Sequence, residues 1–353
     1  MEAVQILKGY VDSDGHVIES EAELNEFLVE PYASGRYQPF HAMLPSLDDF
    51  HTTGAFQGDP AADHQKDTFD TSVGPPEWVE FLDRSNLAET VLYPTMGLAH
   101  GQIIEPRWAV AYAQTYNNWL YDKYIRHSPR LRGIAILPLQ DINAAVIELR
   151  RAVVDLDMVG GMLPSNPTGV RRHVSVREFW PIFAEAQSLG CVIAFHGGAY
   201  RDLGFNTFTS FPAVRALGHP WALAVTATGL IVDGVLDAYP DLRIGLMEGS
   251  ASWIFMVVDR LERETLYGGL ELARPLVEYF QQIYLSVEGF DKSLKHAIKR
   301  IGHQSFMYST DFPHEVSSVD IIKELGHLIE RKDLTNKQKS ALLEDNARRF
   351  YRI

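Results

Sequence analysis

Three residues near the start of the chain have the types and spacing to hold a metal ion. The segment VDSDGHVIES places Asp12, Asp14 and His16 at alternate positions. On an extended strand, where successive side chains point to opposite faces, all three share one face. Two adjacent members of such a set can grip one divalent ion. Taken alone, the motif reads equally as a turn at SDGH with a solvated Asp and His. It gains weight from four other places where a short apolar run leads into a single ionisable residue: CVIAFH closes on His196, IGLME on Glu248 and IYLSVE on Glu288, and Asp311 follows FMYST. Two glycines come directly after His196 and leave room beside an imidazole. With one cysteine, Cys191, the chain can form neither an internal disulfide nor a multi-cysteine zinc or iron–sulfur site. A metal here must be held by His and carboxylates, a set that suits zinc, manganese or iron.

These residues need a scaffold that brings strand ends together. Apolar runs with the length of buried parallel strands lie at Gly9–Asp14, Glu89–Pro94, Gly133–Pro138, Val159–Leu163, Cys191–His196, Arg243–Glu248, Ile283–Val287 and Phe306–Tyr308. Amphipathic stretches separate them, at Trp108–His127, Ile142–Leu156, Val176–Leu189, Trp221–Asp237 and Ser252–Tyr267, with a terminal helix after a Thr335 cap. Eight strands alternating with helices predict an α/β fold, a (β/α)8 TIM-type barrel. In that architecture the residues closing the strands meet at the C-terminal rim, and the metal site falls there. We expect one domain over residues 1–353, with an insertion or lid at about 45–76 and a loop at about 201–220, both over the barrel mouth.

Composition narrows the function. A chain of 353 residues, 46% hydrophobic, can bury a barrel-sized core. A net charge of −14 without a Lys/Arg cluster argues against nucleic acid as a partner. No G-x-G-x-x-G follows a strand, so no nucleotide cofactor is expected. No stretch approaches the ~18 apolar residues of a membrane span, and no basic segment followed by an apolar run opens the chain. The expected setting is the cytoplasm, with a small-molecule substrate.

The chain also resembles a known family. D-x-D-x-H-x-x-E on the first strand, the strand-ending His-Gly-Gly, LMEGSASWIFMVVDRLER and YSTDFPHE are similar to the amidohydrolase-2 branch of the amidohydrolase superfamily, which includes aminocarboxymuconate-semialdehyde and γ-resorcylate decarboxylases. The likeness extends over nearly the whole chain. It implies that Asp14, His16, His196 and Asp311 bind a divalent metal, and that the protein can form a homodimer. Two departures stand out. The family's decarboxylases carry a catalytic His at the end of strand 6, where this chain has Glu248, and MVGGMLPSN on strand 4 lacks the Lys of the superfamily's two-metal members. A second ion, if bound, would fall to Glu248 and Glu288.

Two imidazoles and two carboxylates leave an open position on a metal, where water or a substrate oxygen can bind. The expected function is a metal-dependent hydrolase or carboxy-lyase acting on a carboxylated cyclic or aromatic small molecule. Glu248 is the first candidate for the base, with Asp311 and Glu288 as further catalytic carboxylates. His219 and Arg215 after strand 5, His314 beyond Asp311, and Trp253 are candidates for substrate binding. Two other readings stay open: a non-heme iron or di-iron monooxygenase on the same barrel, favoured by a carboxylate-rich rim, and a non-catalytic small-molecule binder with a structural metal.

Overall fold

The computed structural model describes residues 9–35, 42–45, 71–205, 207–208, 211–314 and 316–353. Eight strands run in sequence order through one parallel sheet: β1 (Tyr10–Val17), β2 (Leu87–Pro94), β3 (Leu131–Ile136), β4 (Gly160–Pro164), β5 (Val192–His196), β6 (Arg243–Met247), β7 (Ile283–Val287) and β8 (Phe306–Tyr308). The sheet closes on itself at the rim. There the Asp311 N–H donates to Asp14 O at 3.0 Å and the His16 N–H to Phe312 O at 2.8 Å. One longer helix follows each strand: α1 (Pro75–Ser85), α2 (Pro106–Leu120), α3 (Ile142–Asp155), α4 (Trp180–Leu189), α5 (Phe211–Val232), α6 (Trp253–Arg263), α7 (Leu294–Ile301) and α8 (Ser318–Glu330). This is the (β/α)8 barrel that the strand pattern predicts.

Local chemistry sets the joints. α1 begins with prolines in its first turn, where no intrahelical N–H is needed, and stops at Asn86 in a left-handed conformation (φ 58°). Asp141 caps α3 by accepting the Ala144 N–H at 3.0 Å. Gly190, at φ 66°, turns the chain out of α4 and into β5. Thr335 and Gln338 form a capping box on the helix that starts the C-terminal tail. The strands bury both faces, so Ile193, Phe195, Leu246, Leu285 and Met307 are inaccessible to water.

One expectation changes. The stretch 201–220 is not all loop, because α5 begins at Phe211 and carries Pro220 in its interior. Pro212, Gly218 and Pro220 read as helix breakers, yet Val214, Leu223 and Ala227 are buried on the inner face of α5, and that packing outweighs local propensity. Of the expected lid at 45–76, residues 46–70 lie outside the described residues; the remainder includes the start of α1.

Candidate metal centre

Strand register places the site. His16 on β1 stands opposite Tyr93, and His196 at the end of β5 lies level with Pro164 of β4 and Met247 of β6. Asp311 lies just past β8. Asp14, His16 and His196 form one group of mutually close ligand atoms, and His16, Asp311 and His314 form another. The His16 Nε2 is 3.2 Å from Asp311 Oδ1 and 3.7 Å from Asp14 Oδ1, and His196 Nε2 is 3.5 Å from Asp14 Oδ1. Asp14 and His16 are at most 1% exposed and His196 is 3% exposed.

The donor set fits a cation. Asp14 Oδ1, His16 Nε2, His196 Nε2 and Glu248 Oε2 are buried with no hydrogen-bond partner among the described residues. A buried polar atom left without a partner costs about 1–3 kcal/mol, so four converging on one spot need a ligand. Both imidazoles already spend their other nitrogen. His16 Nδ1 donates to Pro94 O at 3.0 Å and His196 Nδ1 to Gly197 O at 2.6 Å, which turns each Nε2 toward the cluster as a ligand. Burial holds the His16 imidazole well below its ordinary pKa. Burial also pushes His196 down, but the Asp14 and Glu248 carboxylates outweigh it and raise that ring to about 9. A divalent ion would compete with that proton for Nε2.

Neighbouring side chains fix the candidate ligands in place. The Ser286 hydroxyl donates to Asp14 Oδ2 at 3.2 Å. The Trp78 indole N–H donates to His16 O at 3.1 Å, which makes the fully buried Trp78 a support of β1 beneath the site. Glu19 accepts backbone N–H groups from Thr95, Met96 and Gly97, which anchors the turn bearing Thr95. Thr95 Oγ1 in turn lies 3.0 Å from His314 Nδ1. Asp12 departs from the sequence expectation. The β1–β2 register shifts between Asp12 and Gly15, and Asp12 turns away to accept from Thr90 Oγ1 at 2.7 Å, Thr310 N at 2.9 Å and Thr310 Oγ1 at 2.9 Å. It ties β1 to β2 and to the segment after β8, and leaves Asp14 and His16 as the β1 members of the candidate ligand group.

The rim holds the remaining candidates. Glu248 (φ 59°) and Asp311 (φ 55°) adopt left-handed backbone, a conformation that costs a non-glycine residue about 1–3 kcal/mol and turns both carboxylates inward from their strand ends. Glu248 Oε2 lies 3.5 Å from His196 Nε2, and its Oε1 lies 3.2 Å from His219 Nδ1. Burial alone would raise the Glu248 carboxyl, but His219 and then His196 hold it well below the usual range. A cleft of about 550 Å³ opens here, lined by Tyr200, Arg215, His219, Glu248, Glu288 and Asp311 among others. Glu288 stands at its outer edge, outside both ligand groups, with its carboxyl raised by burial and by Glu248. His314 is buried against His16, ring centroids 4.7 Å apart, and burial brings it down to about 4. Trp253 is packed in the core beside Gly249, with its indole nitrogen unpartnered among the described residues. Tyr200, Thr95, Glu19 and Ser286 are the contributors that strand-end reasoning missed. Only Glu19 had a sequence signal, as the last residue of D-x-D-x-H-x-x-E.

A (β/α)8 barrel with imidazoles and carboxylates converging at the C-terminal ends of β1, β5 and β8 defines the class of metal-dependent barrel enzymes. The description of the amidohydrolase family matches residues 11–353, and the chain belongs to that family. A 2-amino-3-carboxymuconate-6-semialdehyde decarboxylase of Dictyostelium discoideum is 24% identical over 279 residues, 77% of this chain and 75% of that one. A γ-resorcylate decarboxylase of a Polaromonas species is 28% identical over 251 residues, 67% and 76% of the two chains. Among solved structures, a 2,6-dihydroxybenzoate decarboxylase from Rhizobium superposes with a TM-score of 0.70 at 20% identity, covering 98% of this chain and 99% of its own. A manganese-bound 5-carboxyvanillate decarboxylase from Novosphingobium aromaticivorans does so with a TM-score of 0.71 at 15% identity, covering 98% and 96%. Likeness at these identities shows the shared fold. These relatives side with the carboxy-lyase reading and lend nothing to the oxygenase or the non-catalytic binder. Among the described residues, no helix is long and apolar enough to cross a membrane.

Proposed function

We propose that the protein is a metal-dependent carboxy-lyase acting on a small aromatic or cyclic carboxylic acid, with one divalent ion, manganese or zinc, held by Asp14, His16, His196 and Asp311. The observation that carries this reading is the set of buried ligand atoms, Asp14 Oδ1, His16 Nε2 and His196 Nε2, that face one another without hydrogen bonds. The decarboxylase relatives support the reaction class. A divalent ion at this place supplies a Lewis acid that draws in and polarises substrate oxygens. Arg215, which lines the cleft, has the charge to hold the substrate's carboxylate, and His314 stands behind the rim as a neutral imidazole, while Trp253 stays packed in the core. Asp311, at the floor of the cleft, is the group placed to hand a proton to the ring carbon bearing the carboxylate. The bond from that carbon to the carboxylate breaks, its electron pair returns to the ring, and CO2 leaves. Glu248 at the rim restores the proton, and Glu288 lies behind it as a carboxylate through which solvent protons reach the site.

Hydrolysis is the second reading, favoured by the Glu248 carboxylate 3.5 Å from His196, where a base could act on water. In both readings a second ion, if bound, would fall to Glu248 and Glu288. We place the protein in the cytoplasm, a reading supported by its single buried cysteine, and expect a homodimer, as the family resemblance implies; fractionation and light scattering decide these.

The test uses manganese-loaded protein with 2,6-dihydroxybenzoate, 5-carboxyvanillate and related acids, reading CO2 release. Turnover of at least one acid, together with loss of metal from an Asp14→Ala, His196→Ala double variant by mass spectrometry, is expected. Full metal occupancy in that variant would overturn the ligand set; ester or amide cleavage without CO2 release would replace lyase by hydrolase.

A further inference from the structure

Beside the metal ligands, three side chains from separate elements make one line. Glu248 Oε1 lies 3.2 Å from His219 Nδ1 on α5, and His219 Nε2 lies 2.8 Å from the hydroxyl of Tyr200, in the segment after β5. The Tyr200 and His219 rings stack, with centroids 5.5 Å apart and planes at 21°. Tyr200 is 4% exposed, so its hydroxyl has little access to water.

The local backbone is cut to fit this line. A Cβ at Gly197 would come within 2.5 Å of His219 Cγ, and one at Gly218 within 2.1 Å of Tyr200 Cε1. Both glycines are therefore required for the approach. Pro220 follows His219 inside α5 and removes the N–H that would have bonded Ala216 O, which loosens the helix where the imidazole leaves it. Glu248 reaches the line through its left-handed backbone. Four separate concessions of the chain converge on one imidazole, more than incidental packing calls for.

The chemistry of the three groups sets the direction of the hydrogen bonds. A carboxylate only accepts, so His219 Nδ1 carries a proton toward Glu248. With the ring proton on Nδ1, Nε2 offers a lone pair, and the Tyr200 hydroxyl lies at hydrogen-bond distance to donate to it. We propose that Tyr200 is a positioning residue: its hydroxyl holds His219 in the Nδ1–H tautomer, so that His219 grips Glu248 Oε1 and leaves Oε2 turned toward His196 and the substrate space. Because β6 ends in a carboxylate, the imidazole of this rim is supplied from α5, and Tyr200 orients it. The catalytic part of this proposal rests on the carboxy-lyase reading; the tautomer does not.

The experiment separates the two. In zinc-loaded full-length protein labelled with 15N at histidine, the side-chain resonances of His219, assigned by their disappearance in His219→Gln, report the tautomer directly. We expect a protonated Nδ1 and a bare Nε2 in the unaltered protein. Tyr200→Phe, which keeps the stacked ring, is expected to shift Nε2 and mix the tautomers. With 2,6-dihydroxybenzoate as substrate, the same variant is expected to lose about tenfold in kcat, the loss of roughly one hydrogen bond, with KM within about twofold and zinc content unchanged. A His219 protonated at Nε2 in the unaltered protein, or identical His219 resonances in Tyr200→Phe, would overturn the proposal. If the unaltered protein does not decarboxylate the acid, the reaction class falls while the tautomer measurement still decides the role of Tyr200.

Discussion

Asp12 is buried on every side, yet it stands outside the metal cluster, so its contribution can be measured apart from catalysis. Its carboxylate accepts from Thr90 Oγ1, Thr310 N, Thr310 Oγ1 and, at 3.3 Å, Asp14 N. Burial still dominates and pushes the group from an ordinary 3.8 up to about 6. A carboxyl raised in the folded state contributes stability that is fully present below pH 3.8 and is lost as pH rises through about 6. The full loss is about 3 kcal/mol, of which roughly half has occurred by pH 5 and nearly all by pH 7. Asp12→Asn keeps an oxygen for the Thr310 and Asp14 N–H groups, and the two threonine hydroxyls can rotate to accept from its amide. Its stability relative to the unaltered protein is thus expected to rise by about 1 kcal/mol between pH 5 and pH 7. Asp12→Ala instead strands two backbone donors and should cost about 2–6 kcal/mol, at about 1–3 for each unsatisfied group. Urea unfolding of the three proteins at fixed metal concentration, from pH 4.5 to 7.5, reads both effects, and taking differences cancels the other titrating groups. A pH-independent difference between Asp12→Asn and the unaltered protein, or an alanine variant of full stability, would refute the account of Asp12 as a buried tie between strands.

Two further outcomes follow from the same geometry. An ion held at 100 times its dissociation constant stabilises the folded state by about 2.7 kcal/mol, so chelation should lower Tm of a chain this long by roughly 4 °C in a scan followed by circular dichroism. Asp14→Ala should show no such fall, and an equal fall in that variant would place the ion elsewhere. Gly197→Ala puts a methyl group within 2.5 Å of the His219 ring, so turnover should drop by about tenfold or more while metal content, read by mass spectrometry, stays unchanged; unchanged turnover would detach His219 from the reaction.

The strands were legible because parallel strands buried on both faces become short apolar runs in sequence, and a barrel rim places one ionisable residue at the end of such a run. His196, Glu248, Glu288 and Asp311 could all be picked out by that rule alone. The rule could not tell Glu288, which ends its strand at the outer edge of the cleft, from Glu248, whose backbone turns inward at φ 59°. Nor could strict alternation along VDSDGH foresee the register shift that turns Asp12 toward Thr90 and Thr310, because a bulge depends on the partner strand. Tyr200 had no signal. It is remote in sequence from Glu248, and α5, which supplies the His219 between them, starts in a stretch whose prolines and glycine read as loop.

What makes the site demand a cation is the order in which its costs are met. Three carboxylates, Asp14, Glu248 and Asp311, point into one rim, two of them from left-handed backbone. The imidazoles of His16 and His196 have their Nδ1 atoms committed to carbonyls, so they face those carboxylates with Nε2 alone. One proton on His196 offsets a single charge and leaves His16 Nε2 without a hydrogen bond. A divalent ion answers both needs at once: it neutralises two charges in a medium where each unbalanced one is costly, and it gives the bare nitrogen and oxygen atoms a common partner. With an ion at the proposed ligands, the left-handed turns at Asp311 and at the neighbouring Glu248 would face a compensated charge, and removing the ion should loosen the rim before the barrel beneath it.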